Sequence, residues 1–322
     1  MTMITGYRPF VGQHCETTAT GNLLRAAGLE LSEPMLFGLG EGLSYGVFEF
    51  KGMDAPFIGG RSRPDELTRT LASNLGVTIE QRQTRSKARA WSNVADVVDA
   101  GRPVAVKLNM RLLDYDTSGT DFAAHYVAVH GYDDENVLVA DTAGQGGSQV
   151  TSRASFEEAR LWKGPMASNA LTWSVVDLPT EIDWRTVVRR AIAATATAYL
   201  NPPIANFGAQ GIRKTAKLVV GWQSYLPGAL AQVGMLMERG GTGGGLFRPM
   251  YASFLREAGA LLGDVSLPAA AQQLDAAGAV WSAIADHLEA YGSDGVRRLE
   301  EARDLLLEVA DLEEAALTEL VG

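Results

Sequence analysis

The chain has 322 residues, 46% of them hydrophobic and 20% charged, which suits one large globular unit or two ordinary domains and excludes a chain disordered throughout. No apolar run approaches the roughly 18–20 residues of a membrane span, and a formal charge of −10 makes a poor generic binder of nucleic acid or anionic membrane. A single cysteine leaves no internal disulfide and no cysteine-based metal cluster; with no basic-then-apolar leader at Met1–Arg8, the expected compartment is the cytoplasm.

The first half reads as mixed α and β. Glu16 to Ala27 is helical and stops at Gly28. Gly38 to Gly42 is a glycine-dense loop, and Tyr45 to Phe50 a strand. Pro64 to Leu75 is a helix with Pro in its first turn and Asp65 and Glu66 near its positive end. Trp91 to Ala100 is another. Pro103 to Leu108 is a short apolar strand. Tyr126 to Tyr132 and Val137 to Ala140 are strands joined by Asp133-Asp134-Glu135-Asn136, which predicts an antiparallel hairpin.

The pattern changes near residue 180. Beyond it come helical segments at roughly 183–199, 211–226, 227–239, 249–262, 268–291 and 294–320. The last carries Leu299, Ala302, Leu306, Val309, Leu312, Ala316 and Leu320 at helical spacing, with Glu and Arg on its other face. The reading is an α+β catalytic domain at 1–178 and a helical domain at 179–322, with no internal repeat.

Few residues can act as nucleophile or base. Cys15 stands where the first helix begins. There the partial positive charge and free N–H groups favour a thiolate, and the same N–H groups can hold an oxyanion. His125 opens a strand, and Asp141 closes the strand that returns beside it. The hairpin therefore brings Asp141 back toward His125, so that His125 can take the thiol proton while Asp141 fixes its ring. His130 falls on the other side of the strand and is given a structural role, and His287, on a C-terminal helix, a solvent-facing or structural one. Gln13 is the nearest side-chain amide for an oxyanion hole, and His14 adjoins the nucleophile. With Glu41 and Tyr45 they make up the expected pocket set. Zinc is the competing chemistry, but no CxxC or HExxH spacing is present. The glycine runs at 38–42 and 240–245 lack the GK[ST] of a phosphate-binding loop.

The residues His14-Cys15-Glu16-Thr17-Thr18, Asn22-Leu23-Leu24, Gly28 to Glu33, Phe37 to Leu43, and His125-Tyr126-Val127 through Asp141-Thr142 resemble the N-terminal domain of the butirosin biosynthesis protein H family. Glu238 to Arg248 and Tyr251 resemble the helical domain that accompanies it. The resemblance implies a papain-like N-terminal domain. Its activity would be acyl transfer from the phosphopantetheine thioester of an acyl carrier protein to an amine-bearing small molecule, with no cofactor of its own. Cys15 and His125 match the catalytic positions, with Asp141 as third member. In papain-like enzymes the oxyanion Gln stands about six residues before the Cys; that position is Pro9 here, which leaves Gln13 as the candidate. A cysteine hydrolase with the same triad, or a non-catalytic binding protein, is the rival, and a homo-oligomer is compatible with either. No nucleic acid or membrane partner is expected. Acyl carrier proteins are acidic, as this chain is, so docking needs a local basic patch; Arg82, Arg85, Lys87 and Arg89 form the densest cluster.

Overall fold

A computed structural model of the chain describes residues 2–119 and 121–321. In order, its elements are β1 (Thr2–Met3), α1 (Cys15–Ala27), α2 (Glu33–Leu39), β2 (Leu43–Phe48), β3 (Phe57–Arg61), α3 (Glu66–Leu75), β4 (Thr78–Arg82), α4 (Lys87–Asp99), β5 (Val104–Leu108), β6 (His125–Tyr132), β7 (Asn136–Ala140), β8 (Ser148–Ser152), α5 (Arg153–Leu161) and β9 (Thr172–Asp177). Helices follow: α6 (Trp184–Leu200), α7 (Gly208–Leu218), α8 (Pro227–Glu238), α9 (Arg248–Leu262), α10 (Ser266–Glu289), α11 (Tyr291–Asp294) and α12 (Val296–Glu319). The fold is thus mixed α+β, a sheet region followed by a mostly helical part.

The chain divides into two compact units: Met1–Leu36 with Leu67–Ile182, and Phe37–Glu66 with Asp183–Gly322. The sequence reading drew one division, after residue 178, and kept 37–66 in the first domain. That segment instead belongs to the helical unit. A two-stranded hairpin cannot bury its own faces. β2 and β3 pair antiparallel and are closed along the chain by α7 and the loop before it: Val47 N–H donates to Asn206 O (3.0 Å), and Asn206 Nδ2 returns a bond to Val47 O (2.7 Å).

In the first unit the antiparallel strands run β4-β9-β5-β6-β7-β8, with β1 beside β6. One side of the sheet carries a core of Val104, Val106, Val127, Val129, Val137 and Val139 against Val94, Val97 and Val98 of α4 and Phe156 and Ala159 of α5. α1 packs on β6, β5, β9 and β7. The β6–β7 turn forms as expected, because Asp133 Oδ1 accepts from the N–H groups of Glu135 (3.0 Å) and Asn136 (2.8 Å).

In the second unit α10 is central, packed on α8, α9 and α12. The segment Glu238 to Arg248 turns sharply, with Leu246 (φ 51°) and Phe247 (φ 71°) in the left-handed region. Gly245 lies against the backbone of Gly278, where a Cβ would come within 2.8 Å, so a side chain there would force the loop off α10. The strain is held by a buried network. The Arg248 guanidinium bonds both oxygens of Glu313 (2.6 and 2.9 Å), the carbonyls of Leu246 and Gly60, and the Tyr199 hydroxyl. Trp281 Nε1 and the Tyr199 hydroxyl also donate to Glu313.

Candidate active site

Cys15 is the first residue of α1, where the helix leaves N–H groups without intrahelical acceptors. The segment leading to it is tied down by side chains of the same unit. Asn22, about two turns along α1, accepts from Phe10 N–H (2.8 Å) and the Tyr7 hydroxyl (2.5 Å), and donates to Phe10 O (2.8 Å). The Glu33 carboxylate accepts from Gln13 N–H (2.9 and 3.0 Å), His14 N–H (2.9 Å) and the Thr17 hydroxyl (2.7 Å). An anion at a helix N-terminus is favoured by the dipole, so Glu33 anchors the turn that presents the thiol.

The thiol lies 3.9 Å from the carbonyl oxygen of Ala124, at the mouth of β6. The next residue is His125, whose ring feels Cys15 closely enough for the thiol to help raise its pKa. Its Nε2 is 2.9 Å from both carboxylate oxygens of Asp141. Asp141 fixes Nε2 as the protonated nitrogen and leaves Nδ1 for the thiol. Burial works against a charged imidazole here, but the Asp141 charge and hydrogen bond, joined by Cys15, more than offset it and hold His125 well above its usual pKa. Asp141 is itself fully buried. Thr142 N–H donates to its Oδ1 (2.7 Å) and the Tyr115 hydroxyl to its Oδ2 (2.8 Å). A thiol beside the start of β6, an imidazole that opens β6 and a carboxylate bonded to that imidazole thus stand together, an arrangement that can pass a proton from sulfur to nitrogen and steady the resulting charge.

Residues 14–142 match the family model described as Butirosin biosynthesis protein H, N-terminal. Residues 154–320 match the Domain of unknown function DUF4872. The chain belongs to the butirosin biosynthesis protein H family. Membership ties it to antibiotic or other secondary metabolism and points to a biosynthetic enzyme. No curated protein matches it. The family segments cross the structural division: the first includes residues 37–66, which lie in the helical unit, and the second begins within the sheet unit.

The remaining expected site residues fare differently. Gln13 is exposed beside Cys15; His14 is buried as the residue capping α1, its Nδ1 3.4 Å from the Thr17 hydroxyl. Glu41 belongs to the second unit, in the turn after α2 at φ 52°, its N–H donating to Gly38 O. Tyr45 belongs to the second unit as well. It is fully buried within the second unit, its hydroxyl 2.6 Å from that of Thr215 and its ring stacked on Trp281.

The basic cluster runs from the end of β4 into α4. Arg82 pairs with Glu80 (2.8 Å), Arg85 Nε donates to Asn169 Oδ1 (3.1 Å), and Lys87 pairs with Glu157 (3.0 Å). Arg89 is exposed on the first turn of α4. His130 stacks on Tyr7 with ring centroids 4.3 Å apart, a structural role. His287 is partly buried, its Nδ1 3.3 Å from Glu301. Among the described residues no group of His, Cys, Asp or Glu is arranged to hold a metal ion, and no helix is long and apolar enough to cross a membrane. Glu33 and Tyr115 were missed by sequence reasoning. Glu33 stood inside a segment noted for its resemblance; nothing in sequence spacing pointed to Tyr115.

Proposed function

We propose that the protein is a cysteine-dependent acyltransferase of natural-product biosynthesis with a papain-like catalytic unit. The single supporting observation is the line Cys15–His125–Asp141 at a helix start and a strand mouth. In this reading Cys15 sulfur attacks the carbonyl carbon of an acyl thioester carried on phosphopantetheine. The carbon–sulfur bond of the donor breaks, and its thiol leaves with the proton held by His125. An amine of a small-molecule acceptor then attacks the Cys15 thioester. His125 takes the proton from the amine, the amide forms, and Cys15 is released. The N–H groups at the start of α1, with Gln13 as the side-chain candidate, would face the oxyanion. Feeding the acyl-enzyme with and without amines tests transfer against hydrolysis: amide product at the expense of free acid supports the reading, and free acid alone with every amine overturns it.

The raised pKa of His125 sets a pH dependence. The imidazolium persists to well above pH 6.5 and is lost on the alkaline side, when His125 gives up its proton. Asp141→Asn keeps an acceptor for Nε2–H but removes the charge that raises the pKa. The alkaline limb of kcat/KM should move to lower pH, and the maximal rate should fall by less than about a hundredfold, since the ring stays oriented. A pH–rate profile on both proteins checks this; an unmoved limb counts against Asp141.

Carrier docking follows from the same reading. The charge of Lys87 is offset by Glu157, so Arg85 and Arg89 are the better probes. Reversing both to Glu should lower kcat/KM for a carrier-bound donor about tenfold at low salt, less as salt rises, and leave a small thioester donor nearly unchanged. Equal loss with both donors would mean the cluster supports the fold instead.

A further inference from the structure

We infer that Tyr115 is a positioning residue for the charge relay, its hydroxyl holding the Asp141 carboxylate square to His125 and drawing off part of its charge. The inference rests on the acyl-transfer reading only for its kinetic consequence; the geometry stands by itself. Asp141 has two oxygens, and each is pinned from outside by one donor: Oδ1 by Thr142 N–H at 2.7 Å, Oδ2 by the Tyr115 O–H at 2.8 Å. His125 Nε2 sits equidistant between them, 2.9 Å from each. A carboxylate held on both flanks cannot rotate, so it presents its bisector to the ring. One flanking donor is backbone and fixed by β7. The other is a side chain delivered from elsewhere, and it is the one a substitution can remove.

The delivery is firm. Tyr115 lies in the loop between β5 and β6, and its ring packs on the core under the sheet. Just before it, the Asp114 carboxylate accepts from the Thr151 hydroxyl (3.1 Å) and from Ser152 N–H at the end of β8. Just after it, Asp116 closes a turn onto Ser118 and Gly119. Asn109, at the start of the loop, is fully buried and donates to Asp121 (3.1 Å), tying the loop's two ends together. The hydroxyl stays protonated and therefore a donor, because burial and the nearby Asp141 and Asp116 carboxylates all disfavour the phenolate. The charged or titratable groups facing His125 are Asp141 beyond β7 and Cys15 on α1, with Tyr115 and Asp116 of the loop acting through Asp141.

Two donors sharing the Asp141 charge with His125 weaken its pull on the imidazolium. Removing one must strengthen that pull while loosening the carboxylate. The test is Tyr115→Phe, which keeps the packed ring. In protein labelled at its four histidines, the His125 ring titration should rise by roughly half a unit. With a small thioester donor, kcat should fall about tenfold at unchanged KM. Site-specific 3-fluorotyrosine at position 115, a stronger donor of the same shape, should shift the His125 titration the opposite way; it also serves if the Phe variant folds poorly. A His125 titration that is unmoved, or moved in the same direction by both replacements, overturns the inference. The ring titration needs no acyl donor. Opposite shifts in a protein that transfers no acyl group would sink the acyl-transfer reading and leave the positioning role standing.

Discussion

Cys15→Ala should abolish acyl transfer, lowering kcat by at least about a thousandfold, while the melting temperature stays close to that of the parent protein. The nucleophile has no substitute, since Cys15 is the only cysteine of the chain. Its side chain is small and buried at a helix start, so alanine leaves little void, and the anchors of that turn, Glu33 and Asn22, are untouched. The loss should not be recovered by serine: a hydroxyl beside the same imidazole is a far weaker nucleophile than a thiolate. Steady-state turnover of an acyl thioester, read beside a thermal melt, separates the lost nucleophile from a lost fold. Turnover near the parent rate by the alanine protein would remove Cys15 from the mechanism.

Glu313→Ala should be the most destabilising single change in the helical unit, costing about 3–5 kcal/mol. It would strand the Arg248 guanidinium, fully buried, together with the Trp281 N–H and Tyr199 hydroxyl that share the same carboxylate. In a unit of this size the melting temperature should drop by about 10 °C. Replacing both members, Arg248→Met with Glu313→Leu, should cost less than the single change, because no buried charge is then left without a partner. Denaturant unfolding of the three proteins checks the order. A Glu313→Ala protein as stable as the parent would mean the network contributes nothing. The same network gives a structural reason for the glycine-rich segment 240–248: its left-handed Leu246 and Phe247 deliver Arg248 to Glu313.

Local signals carried the sequence reading a long way. The α1 stop at Gly28, with φ 100°, and the Asp133 turn are written in adjacent residues, so the helix bearing Cys15 and the hairpin bearing His125 and Asp141 were legible. What failed depended on distant partners. The strands β3, β4 and β8 are short and mostly polar or glycine-containing, and only pairing makes them strands. The Glu and Arg residues of α12 read as a face turned away from the apolar stripe, yet one of them, Glu313, is wholly buried, where Arg248 meets it. Leu312 and Leu320, assigned to the apolar stripe, are only half-buried. The excursion of residues 37–66 into the helical unit, and the reach of Tyr115 to Asp141, are matters of chain path that no local pattern records.

The most direct test of the central claim is the intact mass of the protein after exposure to a panel of acyl thioesters, with the Cys15→Ala protein alongside. The account predicts a gain of one acyl group on the parent chain with at least one donor, removed by an amine with formation of the amide, and no gain on the alanine protein. An acyl adduct that forms equally on both proteins would contradict it.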